Sequence, residues 1–175
     1  MPYLAGGAGP LGYDDVISPA APTPLKNGDV LMLDTGLVVD GYFCDFDRNF
    51  SIGTPCQDVQ DAYAVLMDAM VKGQEAAQVG KKASDVFHAM DLIVTGGKGT
   101  GDAGRLGHGL GMQLTEWPSF IAEDDTLLED GMVITLEPGV TLSNGSVLVH
   151  EDNFVIRKNG PVQLSVKAPR SMVEL

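Results

Sequence analysis

Residues Leu31 to Phe50, LMLDTGLVVDGYFCDFDRNF, constrain the fold more than any other stretch. Apolar residues flank two acids, Asp34 and Asp45, and a Val39-Asp40-Gly41 turn signal lies midway between them. That is the pattern of a β-hairpin. Folding the segment about its midpoint sets the two carboxylates opposite each other. Opposed like charges on one sheet face are unfavourable, so such a hairpin either leaves both acids exposed at an edge or holds a cation between them. Hard divalent ions prefer carboxylate oxygens, and two carboxylates on adjacent strands can bridge a pair of such ions.

A chain of 175 residues with 44% hydrophobic content is long enough for a single domain with a sizeable core, and the whole length, 1–175, reads as one. Lys plus Arg number 11 against 24 Asp plus Glu, a formal charge of −13. A generic nucleic-acid or anionic-membrane binder is expected to be basic, so neither partner is expected. Cys44 and Cys56 show neither metal-type spacing nor a disulfide framework, which fits a reducing compartment. The sequence has no apolar run near the roughly 18 residues of a membrane span and no basic segment leading into an apolar signal core. The expected location is cytoplasmic.

Residues 1–27 are rich in Gly and Pro and show no sustained period, so they read as an irregular entry to a core at 28–160. So long an entry suggests that elements normally preceding it are missing. Thr54-Pro55-Cys56-Gln57 offers an N-cap, a first-turn proline and a capping-box glutamine. The helix expected there carries an apolar stripe of Val59, Ala62, Tyr63, Leu66, Met67, Met70 and Val71 and ends near Gly80. A second helix, capped by Ser84, buries Val86, Phe87, Met90, Ile93 and Val94, leaves His88 on the surface, and stops at Gly96-Gly97. The glycine-dense stretch from Gly96 to Gly111 matches neither the dinucleotide fingerprint nor the phosphate loop, so nucleotide binding is rejected. Gly131 to Ile156 alternates around Asn144-Gly145, a second hairpin with Glu137 and Glu151 near register on its two arms. Two acid-bearing hairpins separated by two helices suggest a pseudo-symmetric α+β domain with the acids facing one another.

Between the acid pairs lies Arg105-Leu106-Gly107-His108-Gly109-Leu110-Gly111, in which flanking glycines let the backbone at His108 come close to a ligand. Four carboxylates and one imidazole form the oxygen-rich set expected of a dinuclear Mn, Co, Fe or Zn centre. These residues resemble the pita-bread metallopeptidases, a family that includes methionine aminopeptidase, Xaa-Pro aminopeptidase and prolidase, with creatinase as a metal-free relative. The signature falls at Asp34 in LDTG, Asp45 in GYFCD, His108 in GHGLG, Glu137 in LEPG and Glu151 in HEDN. The resemblance implies that Asp34 chelates one of two divalent ions, that Asp45 and Glu151 bridge both, and that His108 and Glu137 complete the other. It further implies a metal-activated water, with His108 and Glu137 as catalytic residues and Glu137 handling the proton of the nucleophile. Thr115 and Glu116, in QLTEWP, would contact the substrate, a small peptide or small molecule, and a homo-oligomer is expected. The resemblance runs from about Gly28 to Gly160, and Met1 looks like the start of a fragment, because the family's catalytic fold normally begins with further elements.

Departures from the pattern bear on chemistry. Thr115 and Gly104 stand where the family's peptidases usually carry histidine, and the segment DDVISPAAP lacks the remaining one. Thr115 can donate a hydrogen bond but cannot be protonated, so oxyanion stabilisation and proton supply would be weaker. Asp47 replaces a usual threonine and is expected either to be an extra ligand or to pair with Arg48 or Arg105. The leading expectation is an Xaa-Pro aminopeptidase- or prolidase-like hydrolase. Its rivals are a creatinase-like enzyme acting on a small molecule and a non-catalytic fragment.

Overall fold

The computed structural model describes residues 3–99 and 104–175, so part of the glycine-dense stretch, 100–103, lies outside the described residues. The hairpin forms as β2 (Val30–Val39) and β3 (Tyr42–Ser51), joined by the two-residue turn Asp40-Gly41. Both turn residues have positive φ, 52° and 87°, the backbone that matches the right-handed twist of a tight hairpin. The entry segment is not wholly irregular. Tyr3–Gly9 forms β1, which pairs antiparallel with β2 over its whole length. Its glycines hid a strand from propensity, and the pairing, not the local sequence, makes it one.

The helix α1 (Gln57–Ala76) begins two residues later than Thr54 would place it, with Cys56 at the N-cap and no side-chain cap. Thr54 instead donates its hydroxyl to Glu174. The stripe Val59, Ala62, Tyr63, Leu66, Met67 and Met70 is buried as expected, whereas Val71 is exposed. The second helix, α2 (Ala83–Val94), is capped by Lys82, whose N–H donates to the Asp85 carboxylate, and Ser84 is inside its first turn. His88 is exposed, as expected. Gly73 of α1 faces Met90 of α2 so closely that a Cβ would lie 2.6 Å from its sulfur, so glycine sets the helix separation.

Beyond the helices come β4 (His108–Gly109), β5 (Glu116–Ser119), β6 (Val133–Leu136), β7 (Gly139–Thr141), β8 (Val147–Val149), β9 (Asp152–Val155), β10 (Val162–Gln163) and β11 (Val173–Glu174). One sheet runs β1-β2-β3-β11, a second runs β10-β9-β6-β4-β5, and β7-β8 form a ribbon. The second hairpin is therefore real but interrupted. Pro138 has no N–H to donate, and the ladder breaks there between β6/β9 and β7/β8. Ile134, Leu136, Leu148, Phe154 and the helix stripe share one apolar core.

Candidate metal centre

Register on the first hairpin differs from the expected one. Because the turn is Asp40-Gly41, Asp34 lies opposite Asp47 and Asp45 lies opposite Gly36. Asp34 and Asp45 are thus diagonal neighbours on one sheet face, with Asp47 on that face as well. Tyr3 of β1 lies against Gly36, where any side chain would overlap its ring, and its phenol donates to the Asp45 carboxylate. Nothing in the sequence around Tyr3 announced this role, since it follows only from the β1–β2 register.

The second acid pair sits in the ladder break. Leu136 pairs with Asp152 and Gly139 with Val149, so Glu137 and Glu151 face each other across it. Their backbone N–H groups find other acceptors, the Leu106 carbonyl at 2.9 Å and Asp47 Oδ1 at 2.9 Å. This decides the position of Asp47. It is neither paired with Arg105 nor bound to the Arg48 guanidinium through its carboxylate, for Arg48 pairs with Asp152 at 2.7 Å and Arg105 Nη2 donates to Thr115 Oγ1 at 3.4 Å.

His108 enters from β4, its N–H donating to Thr135 Oγ1 at 3.2 Å. The glycines beside it serve the sheet more than a ligand. A side chain at Gly107 would strike the Thr135 carbonyl and Phe120, and one at Gly109 would strike the Trp117 carbonyl. The ring Nδ1 lies 2.8 Å from the Gly109 carbonyl. A carbonyl only accepts, so the proton is assigned to Nδ1 and Nε2 presents a lone pair. That lone pair lies 3.8 Å from an oxygen of Asp45 and 3.8 Å from an oxygen of Glu151. Burial holds the imidazole pKa below its ordinary value, so the ring is neutral near pH 7.

One ligand atom each from Asp45, His108 and Glu151 lies within 4.8 Å of the others, and all three residues are buried. Asp34 Oδ1 and Glu151 Oε1 are buried without a hydrogen-bond partner among the described residues. A lone pair and several carboxylate oxygens converge here, two of those oxygens with no hydrogen-bond donor among the described residues, an arrangement that fits a cation. The carboxyl pKa values carry the same strain. Burial, then the charge of Asp45, pushes Asp34 up to about 6. Burial pushes Glu137 up to about 7, with Arg105 restraining the rise and Asp45 and Asp34 adding to it. Burial and the charges of Glu137, Asp45 and Asp47 raise Glu151 well above the carboxylate range.

Glu137 and Arg105 together line two cavities, of about 470 Å³ beside Ser119 and Ile121 and about 480 Å³ beside Val16 and Val140. The sequence offers Arg105 as a partner for Asp47, whereas in the structure its cation beside the acids marks it as a functional candidate. Thr115 is exposed and touches Arg105. Glu116 is turned to its own loop, where it accepts the Gln113 N–H at 2.9 Å.

The sequence pattern of metallopeptidase family M24 matches residues 11–158. An Xaa-Pro dipeptidase of Pyrococcus horikoshii is 32% identical over 150 residues, 85% of this chain and 42% of the relative. Among solved structures, dipeptidase PepE of Mycobacterium ulcerans superposes with a TM-score of 0.88 at 28% identity, covering 98% of this chain and 46% of that one. The prolidase of Pyrococcus horikoshii gives 0.86 at 27% identity, covering 97% and 49%. The chain therefore spans somewhat less than half the length of the relatives it matches. Its fold is the pita-bread fold of these peptidases. With the family pattern extending over most of its residues, the chain belongs to metallopeptidase family M24.

Proposed function

We propose that this chain carries the dinuclear site of an Xaa-Pro dipeptidase-like hydrolase, with Asp34, Asp45, His108, Glu137 and Glu151 as ligands of two divalent ions. The observation that carries the reading is the neutral His108 Nε2, 3.8 Å from both Asp45 and Glu151, beside the orphaned oxygens of Asp34 and Glu151. Mn, Co, Fe or Zn held there would polarise a scissile carbonyl and lower the pKa of the attacking water. The side chains supply the rest. Glu137, on the cavity wall, takes a proton from the nucleophile on a carboxylate oxygen and returns it to the leaving amine. Arg105 presents its guanidinium to the same cavities, where a substrate carboxylate or a developing oxyanion would meet it.

A creatinase-like reading, hydrolysis of a small molecule, has one observation in its favour. The chain has three histidines. His88 is exposed on α2 and His150 pairs with Asp152 at 3.0 Å, which leaves only His108 at the centre. Proton donation to a leaving amine then falls on Glu137 alone, and a substrate with a better leaving group needs less of it. Elemental analysis after Mn or Co loading, together with a peptide panel, decides. Two ions and cleavage of proline dipeptides support the first reading, and two ions without cleavage favour the second. Fewer than one ion in a folded chain overturns both.

A further inference from the structure

Asp45 is on β3 and Glu151 immediately precedes β9, and β3 and β9 are in different sheets that share no backbone ladder. Side chains make the connection instead. The Asn153 amide grips the Asp45 peptide on both sides, accepting its N–H at 3.1 Å and donating Nδ2 to its carbonyl. In return, β3 grips the Glu151 residue on both sides. Asp47 Oδ1 accepts its N–H at 2.9 Å and Arg48 Nη1 donates to its carbonyl at 3.0 Å. Buried His150 lies alongside, its Nε2 3.0 Å from Asp152 Oδ2, its Nδ1 without a hydrogen-bond partner among the described residues, and Tyr63 edge-on at 6.3 Å. Asp152 is held in turn by Arg48 at 2.7 Å and by the Ser165 hydroxyl at 2.5 Å.

The pattern has a purpose that packing alone does not explain. An apolar contact would join two sheets, but it would let them slide, and carboxylates that share ions must keep their separation within about half an ångström. Paired hydrogen bonds to the peptides of both residues fix that separation. We propose that Asp47 and Asn153 are positioning residues which set the distance between Asp45 and Glu151 and so hold the second ion. The inference rests on the two-ion reading above.

The test is cobalt titration of the chain, followed by calorimetry and visible absorption, with folding checked by circular dichroism. Groups that orient metal ligands typically contribute 10- to 100-fold in metal affinity. Asn153→Ala and Asp47→Ala should therefore weaken the more loosely held ion by roughly that factor and shift the cobalt absorption. Asp47→Asn keeps an oxygen for the Glu151 N–H and should stay close to the unmodified chain. Folded alanine variants that bind two ions with unmodified affinity and absorption would overturn the inference and leave the two-ion reading standing. Equal losses in Asp47→Asn and Asp47→Ala would also overturn it, since the acceptor would not be what matters. If Asn153→Ala does not fold, the two Asp47 variants decide alone. An unmodified chain that takes up no cobalt overturns the reading and the inference together.

Discussion

Chelation should destabilise this chain strongly, and acid should partly restore it. Ions that bind only the folded state stabilise it by about 2.7 kcal/mol each when free metal is 100 times the dissociation constant. Two independent ions then amount to roughly 5 kcal/mol. For a domain of this size each kcal/mol moves Tm by about 2–4 °C, so removal of both ions should lower Tm by about 10–20 °C. The acid arm follows from the buried carboxyls. Asp34, at about 6, and Glu137, at about 7, have folded pKa values raised above their unfolded values, and Asp45 and Glu151 are raised too. Between the unfolded and folded values the unfolded chain binds fewer protons, so metal-free stability falls as pH rises from about 4 to 7. His108, lowered by burial, pulls the other way below its ordinary value, one group against five raised carboxyls, since burial also raises Asp47. Asp152, Asp15 and Asp124 have lowered values and stay ionised in both states above pH 5. Thermal melts of chelated and Mn-loaded protein at pH 5.5 and 8 test both arms. A metal-free Tm that is higher at pH 8 than at pH 5.5, or unchanged by Mn at either, would refute the reasoning.

Met67, 6% exposed on the inner face of α1, should not tolerate a charge. Met67→Asp is expected to cost several kcal/mol, comparable to the stability of a marginal domain, and a soluble variant with unchanged Tm would contradict the packing. Gly107 has φ 138° with no room for a side chain, so Gly107→Ala should displace His108 and lower both Tm and metal uptake. An alanine variant binding two ions with unchanged affinity would count against that. Metal-loaded protein should cleave Xaa-Pro dipeptides poorly, because one missing donor to an oxyanion typically lowers the rate by about 10²–10³. Thr115→His should recover part of that in kcat/KM, and ordinary peptidase efficiency in the unmodified protein would sink the argument.

What could be read from the sequence was whatever a local pattern encodes. Asp40-Gly41 and Asn144-Gly145 announced both hairpins, and the three- and four-residue spacing from Val59 to Met70 announced the inner face of α1. Of the residues expected as metal ligands, Asp34, Asp45, His108, Glu137 and Glu151, three bring ligand atoms within 4.8 Å of one another. Three things were not local. The strand β1 exists because β2 offers it an edge, so its glycines gave no warning. The helix α1 starts beyond Thr54, whose hydroxyl is bonded to Glu174, a partner 120 residues away in the chain, rather than capping the helix. The contacts of Asp47 and Asn153 join segments about a hundred residues apart, and no spacing rule reaches that far.

The turn at Asp40-Gly41 also explains why an extra acid at position 47 is tolerated. A register centred midway between Asp34 and Asp45 would set those two side chains directly opposite, about 5 Å apart at Cβ. The observed register makes them diagonal, at about 7–8 Å or somewhat less, a span that carboxylates can bridge through a cation. The same shift puts Asp47 directly across from Asp34, where two charges would repel. Asp47 escapes by turning its oxygen to the Glu151 N–H, a donor that the broken ladder left free. Asp34 has no such donor for Oδ1, nor has Glu151 for Oε1. A backbone donor thus reaches Asp47 and the Tyr3 phenol reaches Asp45, whereas Asp34 Oδ1 and Glu151 Oε1 find no donor among the described residues, so Asp47→Leu should free the Glu151 peptide without relieving those two oxygens.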